Sequence, residues 1–347
     1  MTRREWMGVV AMAARAGKLD TADSLLERQT ASGDVESAAL LVRSPKTNFV
    51  RGYGKAKATT PFLIASITKP MTVSAVMLLR DQGALRLDDP VQKFLPQFTG
   101  EDRKLVTVKH LLTHTSGLPD MLPDNTELRK KHAPLSAFVD GACQAPLGFA
   151  PGTKVSYQSM GILLAAALVE KIAEQPLPEY LRRGLYGPLK MTATSLGLGG
   201  RKISACARCQ VPEATDWDWN SAYWRNLGAP WGGAHSTVAD IAAFVAAFQN
   251  PDARPWKPGT AREMVTIQTN GLNQAWGLGW SRNLEGFGKG CSAGTWGHSG
   301  STGTLCWHDA AAKLTFVLLT SKPAEQSAET TIRPVSDAAA QTQAGPR

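Results

Sequence analysis

The sequence predicts an α+β fold: one antiparallel sheet drawn from both ends of the chain, flanked by helices, with a mostly helical lobe inserted between. Two observations carry this. Short β-prone runs lie near the start, at about residues 38–43 and 49–53, and near the end, at 276–280, 303–307 and 314–319. The centre follows helical spacing instead. Strands at both termini around a helix-rich middle suit a sheet assembled from both ends with a lobe inserted into it.

Each element has a local reason. Pro45 and Lys46 supply the turn between the first two runs. A helix is expected from about Ser66 to Asp81, stopped by Gly83, which suits a C-terminal cap. Further helices are expected near 108–113, 160–173 and 238–248. The run Leu314–Leu319 is the most hydrophobic and β-prone of the strands. No internal repeat of fixed period is present. The chain divides into 1–31, an N-terminal helix or degenerate export signal; 32–322, the main domain; and 323–347, a tail. From Pro334 onward the Ala, Gln, Gly and Pro composition reads as disorder.

Thr2-Arg3-Arg4-Glu5-Trp6-Met7 resembles a twin-arginine signal, followed by a short apolar stretch to Ala14 that Arg15 and Lys18 interrupt. A first amphipathic helix fits equally, so the chain is either exported to the periplasm or cytoplasmic. No apolar run reaches the ~20 residues of a membrane span. The 347 residues suffice for a sizeable core. The net charge of +9 comes from scattered Lys and Arg, the densest run being Arg129-Lys130-Lys131-His132, and reads as a solvated surface rather than a nucleic-acid site. Of five cysteines, Cys206 and Cys209 have C-x-x-C spacing without the second pair a zinc site needs, and the odd count argues against a disulfide framework. They read as ordinary thiols; no metal and no cofactor is expected.

Three constellations carry chemistry. The first is Ser66-Ile67-Thr68-Lys69. A lysine three residues after a serine shares its helix face, and the helix start aims its positive dipole end at the hydroxyl. Pro70 fits a first turn, where N–H groups lack helical partners. To act as a base the lysine must be neutral, which burial and nearby positive charge favour. Alone, the pattern suits equally an N-cap serine followed by a solvent-facing lysine. The second is Tyr157-Gln158-Ser159, at a loop-to-helix junction after Pro151-Gly152. Its phenol is a proton shuttle if cations depress its pKa, or simply a helix anchor. The third is Trp296-Gly297-His298-Ser299-Gly300-Ser301-Thr302-Gly303. Its glycines allow close approach of a substrate to an extended edge, and His298 can orient a tyrosine hydroxyl or bind a carboxylate. A hairpin turn with a surface histidine is the simpler alternative.

In this order the three resemble the serine β-lactamase and penicillin-binding-protein-like family, most closely its class C, esterase and D-aminopeptidase branch. Supporting stretches are Phe62–Thr72, Leu85–Pro90, His110–Leu118, Pro151-Gly152-Thr153, Gly232–Thr237 with Asp240, and Gly297–Gly300, so the resemblance spans about residues 32–322. It implies a β-lactamase/transpeptidase-like fold with the site between sheet and helical lobe. It further implies a serine hydrolase in which Ser66 is acylated and Lys69 and Tyr157 share its proton. The backbone N–H groups of Ser66 and Ser301 would form an oxyanion hole, and Ser159, His298, Ser299 and Gly300 would contact substrate.

Two positions depart from the family pattern. Ser159 stands where Asn is usual and is shorter. His298 replaces the lysine of Lys-Thr-Gly, and a histidine is charged only part of the time near neutral pH. Both favour an esterase or D-amino-acid peptidase acting on small ester or D-peptide substrates. β-Lactam hydrolysis, or cell-wall-peptide or β-lactam binding without turnover, is the alternative. His110 and His114 have the i, i+4 spacing of metal ligands, but Leu111 and Leu112 exclude H-E-x-x-H and the segment reads as structural. Ser299 in Gly297–Ser301 resembles half a nucleophile elbow and is a runner-up nucleophile. The aromatic group Trp217, Trp219, Tyr223, Trp224 and Trp231 walls the cleft or fills the lobe core, with glycine and polar neighbours favouring the cleft.

Overall fold

A computed structural model describes residues 19–250 and 255–343; the signal-like Thr2–Met7 lies outside them. Five strands form the main antiparallel sheet: β1 Ser37–Ser44, β2 Thr47–Gly54, β6 Trp296–Gly300, β7 Thr304–Asp309 and β8 Leu314–Thr320, in the order β2-β1-β8-β7-β6. A smaller sheet, β3-β5-β4, joins β3 Phe62–Leu63, β5 Ala234–Ser236 and β4 Ser195–Leu196. The sheet is thus drawn from both chain ends, as the distribution of β-prone runs requires.

Strands β1 and β8 sit at its centre, with Leu40 opposite Leu318 and Leu41 opposite Val317. Both are buried almost throughout, because each face is covered. Side chains alternate between the two faces of a strand. Ala39, Leu41, Val317 and Leu319 therefore enter one core, and Ala38, Leu40, Val42, Phe316 and Leu318 the other.

The first core belongs to the helical lobe: α2 Thr68–Asp81, α3 Val108–Leu112, α4 Asn125–Lys130, α5 Leu135–Gln144, α6 Met160–Ala173, α7 Leu177–Leu181 and α8 Ala222–Leu227, joined by α9 Val238–Ala247 and α10 Thr260–Val265. The second core is closed by a helix over 19–31, α1, and by the C-terminal helices α11 Ala324–Ser327 and α12 Arg333–Ala340.

The tail expected to be disordered is instead helical over 333–340. Alanine-rich composition reads as low complexity, yet alanine is the best helix former and Pro334 occupies a tolerated first-turn position. Val335 and Ala339 lie against the sheet, and Trp307 Nε1 donates to Ser336 Oγ at 2.8 Å. A Val335→Asp variant, burying an unpaired charge there, is expected to lose about 2–4 kcal/mol, read as a lower urea midpoint. An unchanged midpoint would show that α12 adds nothing to the fold.

Residues 276–280 also differ from expectation. They form a turn with an isolated bridge from Trp276 to Ser281 rather than a strand. Gly279 has φ +77 and packs where a Cβ would come within 2.8 Å of Val73, so its backbone bends to seat against α2. The expected aromatic cleft wall is also absent. Trp224 and Trp231 are buried in the lobe core, with Trp219 and Tyr223 packed on it, and Trp217 lies under Arg129.

Candidate active site

Ser66 lies on a short 3-10 turn, Ala65–Ile67, that runs into α2, so the α-helix begins two residues later than expected. Ala65, immediately before it, has φ 44, a left-handed conformation that a residue bearing a Cβ adopts only when its surroundings enforce it. Those surroundings are identifiable. Thr302 Oγ1 donates to Leu63 O at 2.7 Å, and Thr304 Oγ1 donates to Ile64 O at 3.0 Å. Ile64 N donates to Ala234 O, and Ala234 N donates to Thr68 Oγ1 at 3.0 Å. The turn carrying Ser66 is thereby tied to the β6–β7 turn on one side and to β5 on the other. Gly300 permits the first tie: a Cβ there would stand 2.5 Å from Ile64 O.

Lys69 is fully buried. Its Nζ donates to Ser66 Oγ at 2.9 Å and to Trp231 O at 3.0 Å, and lies 4.7 Å from the centre of the Tyr157 ring. Burial pulls its pKa down from 10.5 to about 7, against an opposing pull from Asp120. A lysine in this state is neutral in a large fraction of molecules at neutral pH, and its lone pair then faces the serine hydroxyl.

Tyr157 hydrogen-bonds Ser66, but its phenol is not acidified. Burial raises its pKa well above the ordinary value, and the Ser66 hydrogen bond offsets this only in part. Phenolate formation through cationic neighbours, the condition for a free shuttle, is therefore not met, and Tyr157 keeps its proton.

The position of Tyr157 is set by the segment 110–120. Ser156 N donates to His114 O, Gln158 N to His114 Nδ1 at 3.2 Å, and Ser159 N to Asp120 O. Between them Gln158, wholly buried, accepts from Ser116 Oγ at 2.6 Å and donates to His110 O. His114 packs its ring on Tyr157 and Trp276, with centroids 4.7 and 4.4 Å away. Since Nδ1 accepts, its proton is on Nε2, which is buried and without a partner. Among the described residues no group of three or more histidine, cysteine or acidic side chains is placed to hold a metal.

His298 is buried in β6 beside the same aromatic group, its ring 5.8 Å from Trp276 and 6.0 Å from Tyr157. Its Nδ1–H donates to Ser299 O at 2.7 Å, leaving Nε2 as an unpartnered acceptor. Burial, then the nearby Lys69 charge, lowers its pKa to about 3. It is neutral throughout the working range, not partly charged as its residue type alone implies. Ser299 is exposed on the edge strand, Gly300 packs against the Ser66 turn, and Ser301 is exposed just beyond. Among the described loop and turn hydrogen bonds none starts from Ser66 N or Ser301 N.

The beta-lactamase family model matches residues 22–340. The chain belongs to the beta-lactamase family. Protein flp of Staphylococcus aureus (strain NCTC 8325 / PS 47) is 28% identical over 223 residues, 58% of this chain but only 45% of the longer protein. An Escherichia coli K12 protein whose name proposes a D-alanyl-D-alanine carboxypeptidase is 24% identical over 360 residues, covering 88% of this chain and 82% of its own. Among solved structures, EstCE1, a hydrolase with promiscuous acyltransferase activity, superposes with a TM-score of 0.79 at 20% identity, covering 94% of this chain and all of that one. The chain thus shares the fold of EstCE1 and spans less than half the length of the flp protein it matches.

Within that family frame, Ser159 departs from expectation in geometry as well as identity. It is 1% exposed, and its hydroxyl donates to Asp120 Oδ1 at 2.6 Å. The exposed polar group on this side of the site is the Asp120 carboxylate. Sequence reasoning missed Asp120, His114, Gln158 and Trp276 as parts of the site. The first three lie in or beside motifs it quoted, and a Leu-Leu pair between two histidines gave no chemical signal. Trp276 was assigned to a strand. Cys206 and Cys209 are free and buried. No helix among the described residues is long and apolar enough to cross a membrane.

Proposed function

We propose that this chain hydrolyses small esters or D-amino-acid amides through an acyl-enzyme on Ser66. The observation that carries the reading is the Lys69 Nζ contact with Ser66 Oγ, made by a lysine wholly buried and poised near neutrality. Neutral Lys69 takes the Ser66 proton as the oxygen attacks the substrate carbonyl, and the N–H groups of Ser66 and Ser301 receive the oxyanion. Tyr157, protonated and bonded to Ser66, is placed to pass a proton to the leaving group and recover one from Lys69. Water then attacks the ester on Ser66, and the same base accepts its proton. The start of α2, two residues beyond Ser66, favours negative charge developing there.

The neutral His298 counts against efficient β-lactam hydrolysis, because it offers no standing cation for the antibiotic carboxylate. The name of the Escherichia coli relative supports D-peptide chemistry, and that of EstCE1 supports hydrolysis with acyl transfer.

The test is labelling with a fluorophosphonate and mapping of the adduct by mass spectrometry. An adduct on Ser66 is expected, absent from Ser66→Ala, together with turnover of p-nitrophenyl acetate that the variant loses by about 10³-fold or more. An adduct on Ser299 would overturn the assignment. A lasting Ser66 adduct from an ester, with no product released, would favour a binding role without turnover.

A further inference from the structure

Asp120 is an exposed charged group of the site that neither the nucleophilic chemistry nor the oxyanion hole uses. Its carboxylate is exposed, while its neighbour Ser159 is buried. Two hydrogen bonds fix it to the tyrosine segment: Ser159 Oγ donates to Asp120 Oδ1 at 2.6 Å, and Ser159 N donates to Asp120 O at 3.2 Å. Ser159 is two residues from Tyr157, and the Asp120 charge reaches both Lys69 and Tyr157. It therefore stands at the mouth of the reacting site. Among the described residues it enters no ion pair with lysine or arginine, although the chain carries 38 of them. His298 and His114 beside the site are both neutral, and Lys69, which feels the Asp120 charge, is engaged by Ser66 Oγ and Trp231 O.

We propose that Asp120, held by Ser159, is the specificity residue of this hydrolase and selects substrates that carry a protonated amine next to the scissile carbonyl. This rests on the acyl-enzyme reading above and names its substrate class: aminoacyl esters and amides with a free α-amine. A carboxylate with one oxygen anchored keeps its second oxygen for a ligand, and an ammonium donates to it with charge assistance. The same negative charge repels a substrate carboxylate. The shortness of Ser159 acquires a purpose here, because its hydroxyl reaches Asp120 rather than the substrate and presents a charge where a neutral amide side chain is usual in the family. The preference is expressed in kcat/KM through differential binding of the two substrate types.

The experiment compares the methyl esters of D-alanine, N-acetyl-D-alanine and N-succinyl-D-alanine at about pH 6.5, where an α-amine is largely protonated. Wild type is expected to favour the free amine over the acetylated ester by about tenfold or more, equivalent to ~1.4 kcal/mol, with the succinylated ester slowest. In Asp120→Asn, which keeps the acceptor for Ser159, that ratio is expected to fall towards one. The ratio is read, not the absolute rate, because the Lys69 environment changes equally for all three esters. Equal rates in wild type would overturn the proposal, as would a preference that survives Asp120→Asn. Turnover of p-nitrophenyl acetate without any preference among the three would leave the Ser66 reading standing and remove this one. Absence of Ser66 acylation by any ester would remove both.

Discussion

A Lys69→Met variant is expected to be about 10³-fold slower in kcat/KM, the range a positioned general base supplies, yet at least as stable as wild type. The two halves of that expectation have one cause. The Lys69 side chain is wholly buried, with Ser66 Oγ and Trp231 O as its polar contacts, and its pKa falls from 10.5 to about 7. In the proposed mechanism the neutral form is the base, so wild-type activity should rise with pH through about 7 and level off above it, and the variant should lose that inflection. The stability sign follows from proton counting. Between about pH 7 and 10.5 the unfolded chain holds a proton on Lys69 that the folded chain does not. Unfolding free energy therefore climbs with pH across this window, and below it the folded state carries the full cost of an ill-solvated charge. Methionine buries no charge and removes that cost. Urea melts at pH 6 and 9 check the sign. A variant that is both inactive and clearly less stable would mean that Lys69 acts mainly as a structural tie to Trp231.

Gly300→Val is the second large effect, and it acts on the shape of the site rather than its chemistry. A Cβ at this position meets Ile64 O at 2.5 Å and also collides with Thr304 Oγ1, so the β6–β7 turn must part from the turn that carries Ser66. The ties from Thr302 to Leu63 and from Thr304 to Ile64 go with it. Without them only the β5 side still holds the left-handed conformation of Ala65, and Ser66 and Ser301 lose their shared frame. A loss of about 2–4 kcal/mol is expected, with fluorophosphonate labelling of Ser66 reduced at least in proportion. Ser299→Ala, on the exposed side of the same strand, is expected to shift stability by less than about 0.5 kcal/mol. A Gly300→Val protein labelled at the wild-type rate would show that the oxyanion frame does not depend on this contact.

Most of the architecture was legible because its signals are local. The pattern of β1 and β8, the stop at Gly83 and the apolar face of α6 are each written in a few adjacent residues. The site was legible where chemistry and spacing coincide, as in Ser66 with Lys69. What escaped depends on surroundings that sequence does not display. The charge states of His298 and Tyr157 are decided by burial, which opposed the expectation in both cases. Asp120 is tied to the site by a hydrogen bond from Ser159, 39 positions away. The helix α12 was read as disorder because its alanines carry no hydrophobic pattern until a sheet lies beneath them, and Trp276-Gly-Leu-Gly-Trp280 is aromatic enough for a strand but bent by its glycines.

The edge strand β6 has a consequence for solubility. An edge with unpaired main-chain groups is a template on which another chain can add itself and propagate. Here most of it is already spoken for. Ser281 exchanges two hydrogen bonds with Gly297, at 3.0 and 3.1 Å, closing the first half of the strand. What stays open is the stretch from His298 to Ser301, shorter than the five or six residues of an average strand. On the β6 side the sheet thus keeps an open edge too short to recruit a neighbour into a growing sheet.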